Sequence, residues 1–180
     1  PHCHAGLCAE GAGADEEDVN ESSTPLTPEL RAIDGIDPFD PCFLDARKAG
    51  VTTVVTGPGS TNVIAGQFAA IKTKEGSVDS RVLREPAAMK ASLGENPKRT
   101  YQQNEEKPYT RMAIAALLRQ ALVDAGEYTK KRKKKDGDEA RDLGKEAMAR
   151  VLAGEFPLKV HAHRADDILT AMRIAKEFGV

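Results

Sequence analysis

Two pairs of histidines, each separated by one residue, are the side chains of this chain best suited to chemistry. His2 and His4 lie in the segment PHCH, and His161 and His163 lie in VHAH. Because side chains alternate between the two faces of a strand, histidines two positions apart point to the same side. Imidazole is a common zinc ligand, so each pair supplies half of a metal site. For PHCH alone, a processed terminus without function is an equally good explanation.

A lysine lies between the two pairs, in the apolar segment AAMKASL at residues 87–93. Lysine is seldom buried without a partner. Lys90 therefore either extends its amine to solvent at a strand end, which its spacing alone favours, or takes part in a functional site. Spacing also leaves open which of His161 and His163 is a ligand. Cys3 is expected to face away from its neighbouring histidines and to pack rather than bind metal.

The segments that carry these residues predict strands and helices in alternation. Such alternation is typical of a parallel sheet covered by helices. The run VTTVVT has no polar break, so we expect a strand that is buried on both faces. Predicted strands are residues 51–56, 67–73, 87–93 and 158–163, and predicted helices are 37–50, 110–128 and 139–153.

Two helices have ends that the sequence marks. The first is expected to begin with Asp37 as its N-cap and Pro38 in its first turn. The last carries Asp166 and Asp167 in its first turn, where the helix dipole favours negative charge, and ends at Gly179. Its apolar face is predicted to consist of Ile168, Met172, Ala175 and Phe178.

Composition excludes several classes of protein. The 180 residues suit one domain, and a net charge of −2 does not favour nucleic acid or a membrane surface as a partner. No apolar run approaches the roughly 18 residues of a membrane span. Three cysteines without a CxxC pair fit a reducing cytoplasm. Residues 9–30 are acidic and predict a flexible surface loop, with a lid as the alternative, and the basic run 130–135 predicts a solvated loop or helix end.

Four segments together resemble the amidohydrolase superfamily, and its imidazolonepropionase-like members in particular. The resemblance implies a (β/α)8 barrel of the TIM type that holds one or two divalent metal ions, zinc above all. It implies His2, His4 and His161 as metal ligands, and it places Lys90 where the family has a lysine carboxylated by CO2. The segments are PHCH, KAGVTTVVTGPG, AAMKASLGENPKR and KVHAHRADD.

The resemblance covers only the N-terminal part of such a barrel, from within strand 1 to the end of helix 5, about five β/α units over residues 1–180. The family pattern also has a histidine on strand 6 and an aspartate, the general base, on strand 8. Asp166 and Asp167 begin a helix and do not match the strand-8 position. We therefore expect no catalytic base within this chain, no activity of the chain alone, and self-association through its open sheet edges.

The leading hypothesis is a parent enzyme that hydrolyses a C–N bond in an amide, cyclic amide or peptide-like small molecule with metal-activated water. The alternative is a non-catalytic α/β fragment that at most binds metal, or needs a second chain to complete the barrel. A doubly wound binding domain is disfavoured because no glycine-rich fingerprint follows a strand. Residues near predicted strand ends could contact substrate: His163 and Arg164 are the candidates, and Asn62, Gln67, Glu95 and Tyr101 could also do so. Arg164 and these last four are each more often structural loop residues.

Overall fold

The computed structural model describes residues 2–8, 17–133 and 140–180, which form a five-stranded sheet with helices packed against it. The strands are β1 (His2–Cys3), β2 (Thr53–Thr56), β3 (Ile64–Lys72), β4 (Val82–Ser92) and β5 (Leu158–His161). The helices are α1 (Pro41–Lys48), α2 (Val78–Arg81), α3 (Glu95–Gln103), α4 (Arg111–Arg132), α5 (Leu143–Leu152) and α6 (Ala165–Phe178), with a short 3-10 helix at Ala32–Asp34.

The strands are ordered β1-β2-β3-β4-β5, and β3 runs against both of its neighbours. β1 is parallel to β2, and β4 is parallel to β5. The expectation of an all-parallel sheet is therefore wrong at β3. Its connections, residues 57–63 and 73–81, are too short for the crossover that a parallel neighbour requires. The result is a mixed α/β fold with a curled, half-barrel sheet.

The reversal of β3 does not separate the carboxyl ends of the other four strands. β1, β2, β4 and β5 all run in the same direction, so their carboxyl ends lie together, beside the amino end of β3. His2, His161 and Lys90 lie in the strands close to these ends, and His4 and His163 follow just after them. The topology thus gathers the candidate residues at one edge although the sheet is not uniformly parallel.

Helix α1 begins three residues later than the sequence predicts. Asp40 is its N-cap, and its carboxylate accepts hydrogen bonds from the backbone N–H of Cys42 at 2.8 Å and of Gly6 at 3.0 Å. Asp37 accepts from the N–H of Phe39 in the preceding turn. The predicted cap at Asp37 is wrong because Asp40 can also satisfy the loop that follows β1.

Two strands differ in detail from their predictions. In β2, Val54 and Thr56 are buried whereas Thr53 and Val55 are half-buried, so the expectation of burial on both faces is wrong. Val54 packs in an apolar cluster with Phe43 of α1, whereas Val55 faces the other side of the sheet. β4 is longer than predicted and includes Pro86, which was expected to precede the strand.

The main core lies between the sheet and helices α4, α5 and α6. Helix α4 starts as predicted at Thr110, whose hydroxyl accepts from the N–H of Ala113 at 3.1 Å. The apolar stripe of α4 then packs against Met89 of β4 and Met148 of α5. The buried members of this core include Met89, Ala91, Ile114, Leu118, Leu122, Met148, Val151 and Ile174.

Helix α6 forms where predicted and ends at Gly179 in the left-handed conformation, but it buries a different face. Ile168 and Met172 are 46% and 62% exposed, so their predicted place in the core is wrong. Asp167 is buried instead, and it receives Arg111 Nε at 3.0 Å. This ion pair ties the first turn of α6 to the first turn of α4 and thereby sets the rotation of α6.

Parts of the two charged segments lie outside the described residues, namely 9–16 of the acidic segment and 134–139 of the basic one. Before that gap, Lys130 to Arg132 form the last turn of α4, a helix end as expected. Residues 26–31 run beside β3, where Leu26 pairs with Ile64 and Arg31 with Gln67. In the described part of the chain, none of the helices has the length and apolarity needed to cross a bilayer.

Truncating Leu118 to alanine tests this core. Leu118 is fully buried, so we expect Leu118→Ala to lower the free energy of unfolding by about 2–5 kcal/mol in urea denaturation. Leu143, which is 58% exposed, is the matched control, and Leu143→Ala should change stability by no more than about 0.5 kcal/mol. Equal losses in both variants would contradict this packing.

Candidate metal-binding site

Lys90 points to the face of the sheet opposite the core that α4, α5 and α6 cover. Its flanking residues Met89 and Ala91 belong to the helix-covered core, so Lys90 projects from the opposite side of β4. In the sheet it is paired with Gly66 of β3 and with Lys159 of β5. We call this side of the sheet the inner face, which carries His2, Phe68, Lys90, Lys159 and His161.

The first histidine pair is held by an aromatic contact and a backbone carbonyl. The rings of His2 and His4 are 4.9 Å apart, and His2 stacks on Phe68 at 5.1 Å. His4 Nδ1 lies 2.7 Å from the carbonyl oxygen of Gly57. Because a carbonyl oxygen only accepts, Nδ1 carries the proton, and Nε2 keeps a lone pair that can bind a ligand.

Gly57 is required at this point for a steric reason. A Cβ atom at residue 57 would lie 2.5 Å from the ring of Phe68. Any larger residue would therefore displace Phe68 from the ring of His2. The sequence PGS at 58–60 indicates a turn here but does not reveal this contact.

The second pair divides between the inner face and the rim of the sheet. His161 is half-buried in β5, and its Nε2 lies 3.2 Å from the side-chain amide nitrogen of Asn96 in α3. His163 follows the strand, is exposed, and its Nδ1 lies 2.5 Å from Oε1 of Glu95. The two rings are 4.5 Å apart. The geometry thus brings His161 to the inner face with Lys90 and leaves His163 engaged at the rim.

Both inner-face imidazoles are neutral at pH 7. Burial, followed by the positive charges of Lys159 and Lys90, lowers the pKa of His2 to about 4. Burial and the charge of Lys90 also lower the pKa of His161. The neutral imidazole is the form that binds a metal ion.

Lys90 is buried without a compensating anion. Its side chain is 1% exposed, and among the described residues no acceptor or acid forms a hydrogen bond or ion pair with its Nζ. Burial, reinforced by the charge of Lys159, lowers the pKa of Lys90 to about 8. About a tenth of the amine is therefore unprotonated at pH 7, and this fraction of Lys90 is nucleophilic.

Lys159 and Asn96 also belong to this region, and neither was predicted from the sequence as a site residue. The Nζ of Lys159 lies 4.9 Å from the centre of the Phe68 ring, a cation–π contact on the inner face. The period of two in LKVHAH places Lys159 on the same side as His161, so this signal was available. Asn96 gave no signal, because its helix α3 was not predicted.

The other candidate substrate residues are engaged within the fold. Arg164 forms an exposed ion pair with Asp166 at 2.8 Å. Tyr101 is buried, and its hydroxyl donates to Asn62 Oδ1 at 3.2 Å. Gln67 donates to the carbonyl oxygen of Pro28 at 3.0 Å. Asn62, Gln67 and Tyr101 therefore secure loops, whereas Arg164 stays at the rim beside His163.

A metal ion here would need a ligand that unmodified acidic, histidine and cysteine side chains do not supply. Over residues 2–8, 17–133 and 140–180, no three His, Cys, Asp or Glu side chains form a group that could hold a metal ion. Cys3 packs against a smaller apolar cluster that includes Phe43 and Val54, with its thiol toward the carbonyl oxygen of Val55. Lys90, whose charge acts on both His2 and His161, would provide carboxylate oxygens once carboxylated. A metal centre built on these histidines would therefore need a further donor, which a carboxylated Lys90 could supply.

Comparisons with known proteins found two relatives. No family model matches the chain. Amidohydrolase tasK of Hapsidospora irregularis is 29% identical over 200 residues, an alignment that covers 98% of this chain and 20% of that protein. The crystal structure of an amidohydrolase from Thermotoga maritima MSB8 superposes with a TM-score of 0.94 at 43% identity. That match covers 99% of this chain and 48% of the solved chain, so this chain spans about half of its structural relative.

Replacing Lys90 by methionine tests the unpaired amine. Because the pKa of Lys90 falls from 10.5 to about 8 on folding, protonation opposes folding fully below pH 8, and this cost disappears between pH 8 and 10.5. We expect metal-free, CO2-depleted Lys90→Met to be more stable than the wild type by up to about 3 kcal/mol at pH 7. The difference should shrink steadily toward pH 10.5 in urea denaturation.

Lys74→Met, at an exposed lysine, is the control and should show no such pH-dependent gain. A Lys90→Met chain that is less stable than the wild type at pH 7 would contradict the environment described for this amine.

Proposed function

Because the chain belongs to the amidohydrolase superfamily, we propose that it forms the metal-binding half of a zinc-dependent hydrolase. The proposed reaction is hydrolysis of a C–N bond in an amide, cyclic amide or peptide-like small molecule. One observation carries the proposal: His2, His4 and His161 share a sheet edge with Lys90, a buried lysine with which no acid of the described residues forms an ion pair. The names of the two relatives support the reaction class, and the chain spans only part of each.

In this proposal His2, His4, His161 and carboxylated Lys90 hold one or two zinc ions. Zinc in such a site lowers the pKa of a bound water molecule and polarises the carbonyl group under attack. Carboxylation of Lys90 joins its unprotonated Nζ to the carbon of CO2, and the proton that leaves the nitrogen passes to solvent. The ring of His4 is oriented by Gly57, and the ring of His161 by Asn96.

His163 and Arg164 are proposed as weak substrate contacts. Both side chains are exposed at the same edge of the sheet as the proposed metal ligands. The contact of His163 with Glu95 restricts its ring, and the contact of Arg164 with Asp166 restricts its guanidinium. A substrate that approaches this edge would meet these two groups before it reached Phe68 and the inner face.

The catalytic base is proposed to come from outside these 180 residues. Within the described ranges, Glu95 is the acid whose charge acts on His161, and it is already bound to His163. We therefore propose that the chain alone binds metal without turnover. In the complete enzyme, further strands would close the half barrel into a (β/α)8 barrel.

Association and location follow from the same proposal. Ile168, Leu169 and Met172 form an exposed apolar strip on α6, the last helix before the open side of the sheet. Such a strip favours coverage by the rest of the barrel or, in the isolated chain, by another copy.

All three cysteines are free thiols, which supports a reducing location such as the cytoplasm.

Metal retention tests the proposed ligands. The chain is loaded with zinc and bicarbonate, dialysed, and analysed by elemental mass spectrometry. We expect near-stoichiometric zinc in the wild type and its loss in His161→Ala and in the double variant His2→Ala/His4→Ala. His163→Ala, the same change two residues further on, should retain zinc.

Circular dichroism of each variant establishes that it is folded before its zinc content is compared. Absence of retained zinc in the folded wild-type chain would refute the metal site. Retention in His161→Ala with loss in His163→Ala would reverse the assignment of this ligand.

Lys159 gives a second test, directed at Lys90. Its positive charge disfavours protonated Lys90 and would attract the negative charge of a carbamate on Lys90. We therefore expect Lys159→Met to reduce the 13C NMR signal of the carbamate in metal-free protein supplied with 13C-bicarbonate. Lys159→Arg and the control Lys74→Met should preserve the signal. An undiminished signal in Lys159→Met would show that Lys159 has no such role.

A further inference from the structure

Arg81 is a second buried cation, and it lies far from the histidines. It ends α2, directly before β4, whereas Lys90 lies near the other end of β4. Arg81 is 3% exposed, and its guanidinium lies 5.1 Å from the centre of the Phe43 ring. Nη2 donates to the carbonyl oxygen of Pro38 at 2.7 Å. Nε and Nη1 are buried and have no hydrogen-bond acceptor in the described part of the chain.

Two unpaired donors on a buried charge are unfavourable. Buried polar groups are nearly always hydrogen-bonded, and an unsatisfied donor on a charged group costs more than one on a neutral group. Burial and the nearby charge of Arg47 both lower the pKa of Arg81, which reflects the same penalty. An anion beside this guanidinium would remove much of the cost.

A cavity of about 520 Å³ lies against Arg81 and is large enough for a small organic molecule. Much of its wall is apolar. Phe39 is 84% exposed and Leu44 is 46% exposed, although both are large apolar side chains. The apolar lining consists of Pro38, Phe39, Pro41, Phe43 and Leu44.

The other charged groups of the cavity already have partners. Arg47 donates to the carbonyl oxygen of Thr73 at 2.7 Å and pairs with Glu75 at 3.2 Å. Both carboxylate oxygens of Asp40 accept hydrogen bonds from backbone N–H groups. Among the described residues that line the cavity, no acid forms an ion pair with Arg81, although the nearby charges of Glu75 and Asp37 favour its protonated form. Asp40 and Glu75 would repel a multiply charged ligand.

We propose that this cavity binds a small organic carboxylate with a single negative charge and an apolar body. The carboxylate accepts hydrogen bonds from Arg81, and the apolar body packs on Phe39, Phe43 and Leu44. The site is at the opposite end of the sheet from the proposed metal ligands, so it stands independently of the hydrolase assignment.

NMR titration of the chain with benzoate tests this site, with the Nε–H resonance of Arg81 as the reporter. We expect a saturable shift with benzoate and at least tenfold weaker binding of benzyl alcohol, which has the ring without the charge. Arg81→Met should weaken benzoate binding at least tenfold, as followed by backbone amides around Phe39. Arg84→Met, at an exposed arginine on β4, should leave it unchanged.

Phe39→Ala keeps the test decisive if Arg81→Met does not fold, because Phe39 is exposed and its truncation should not disturb the core. Benzoate affinity should fall severalfold in Phe39→Ala. The proposal is overturned by the absence of saturation up to the solubility limit of benzoate, by equal binding of benzyl alcohol, or by unchanged affinity in folded Arg81→Met.

Discussion

The burial of Lys90, with no acid paired to it in the part of the chain that the structure describes, is the constraint on which the rest of the site depends. Lys90 is central in the sheet, between β3 and β5, so the fold cannot release it to solvent without breaking the strand register. Its charge also helps to keep His2 and His161 neutral. A carbamate on Lys90 would carry a negative charge that balances the positive charge of Lys159. It would also place anionic oxygen ligands for zinc beside the neutral nitrogens of the histidines.

The sheet brings these groups together because four of its strands run in the same direction, although not all neighbouring strands are parallel. β3 is reversed, yet β1, β2, β4 and β5 still deliver their carboxyl ends to one edge. Contacts from loops and helices then orient the rings, as with the Gly57 carbonyl at His4 and the Asn96 amide at His161. Arg81 marks the opposite end of β4, where a different unpaired cation faces an apolar cavity. Lys90, near one end of β4, is therefore proposed to hold metal, whereas Arg81, directly before the other end, is proposed to bind a carboxylate.

The sequence predicted what depends on local pattern. Strand positions around Lys90 and His161, the start of α4 at Thr110 and the left-handed cap at Gly179 were all readable from spacing, capping and turn residues. It did not predict what depends on distant contacts. The reversal of β3 follows from loop lengths on both sides, Asp40 displaced Asp37 as a cap because Gly6 lies beside it, and α6 rotated to bury Asp167 against Arg111. Asn96 could not be found without α3.

The most direct test of the central claim is anomalous diffraction at the zinc edge, on crystals of the chain grown with zinc and bicarbonate. The account predicts a zinc peak within coordination distance of His2, His4 and His161. It also predicts density for a carboxyl group on Lys90 Nζ that reaches the metal. Zinc bound elsewhere, or an unmodified Lys90 beside an empty inner face, would contradict it.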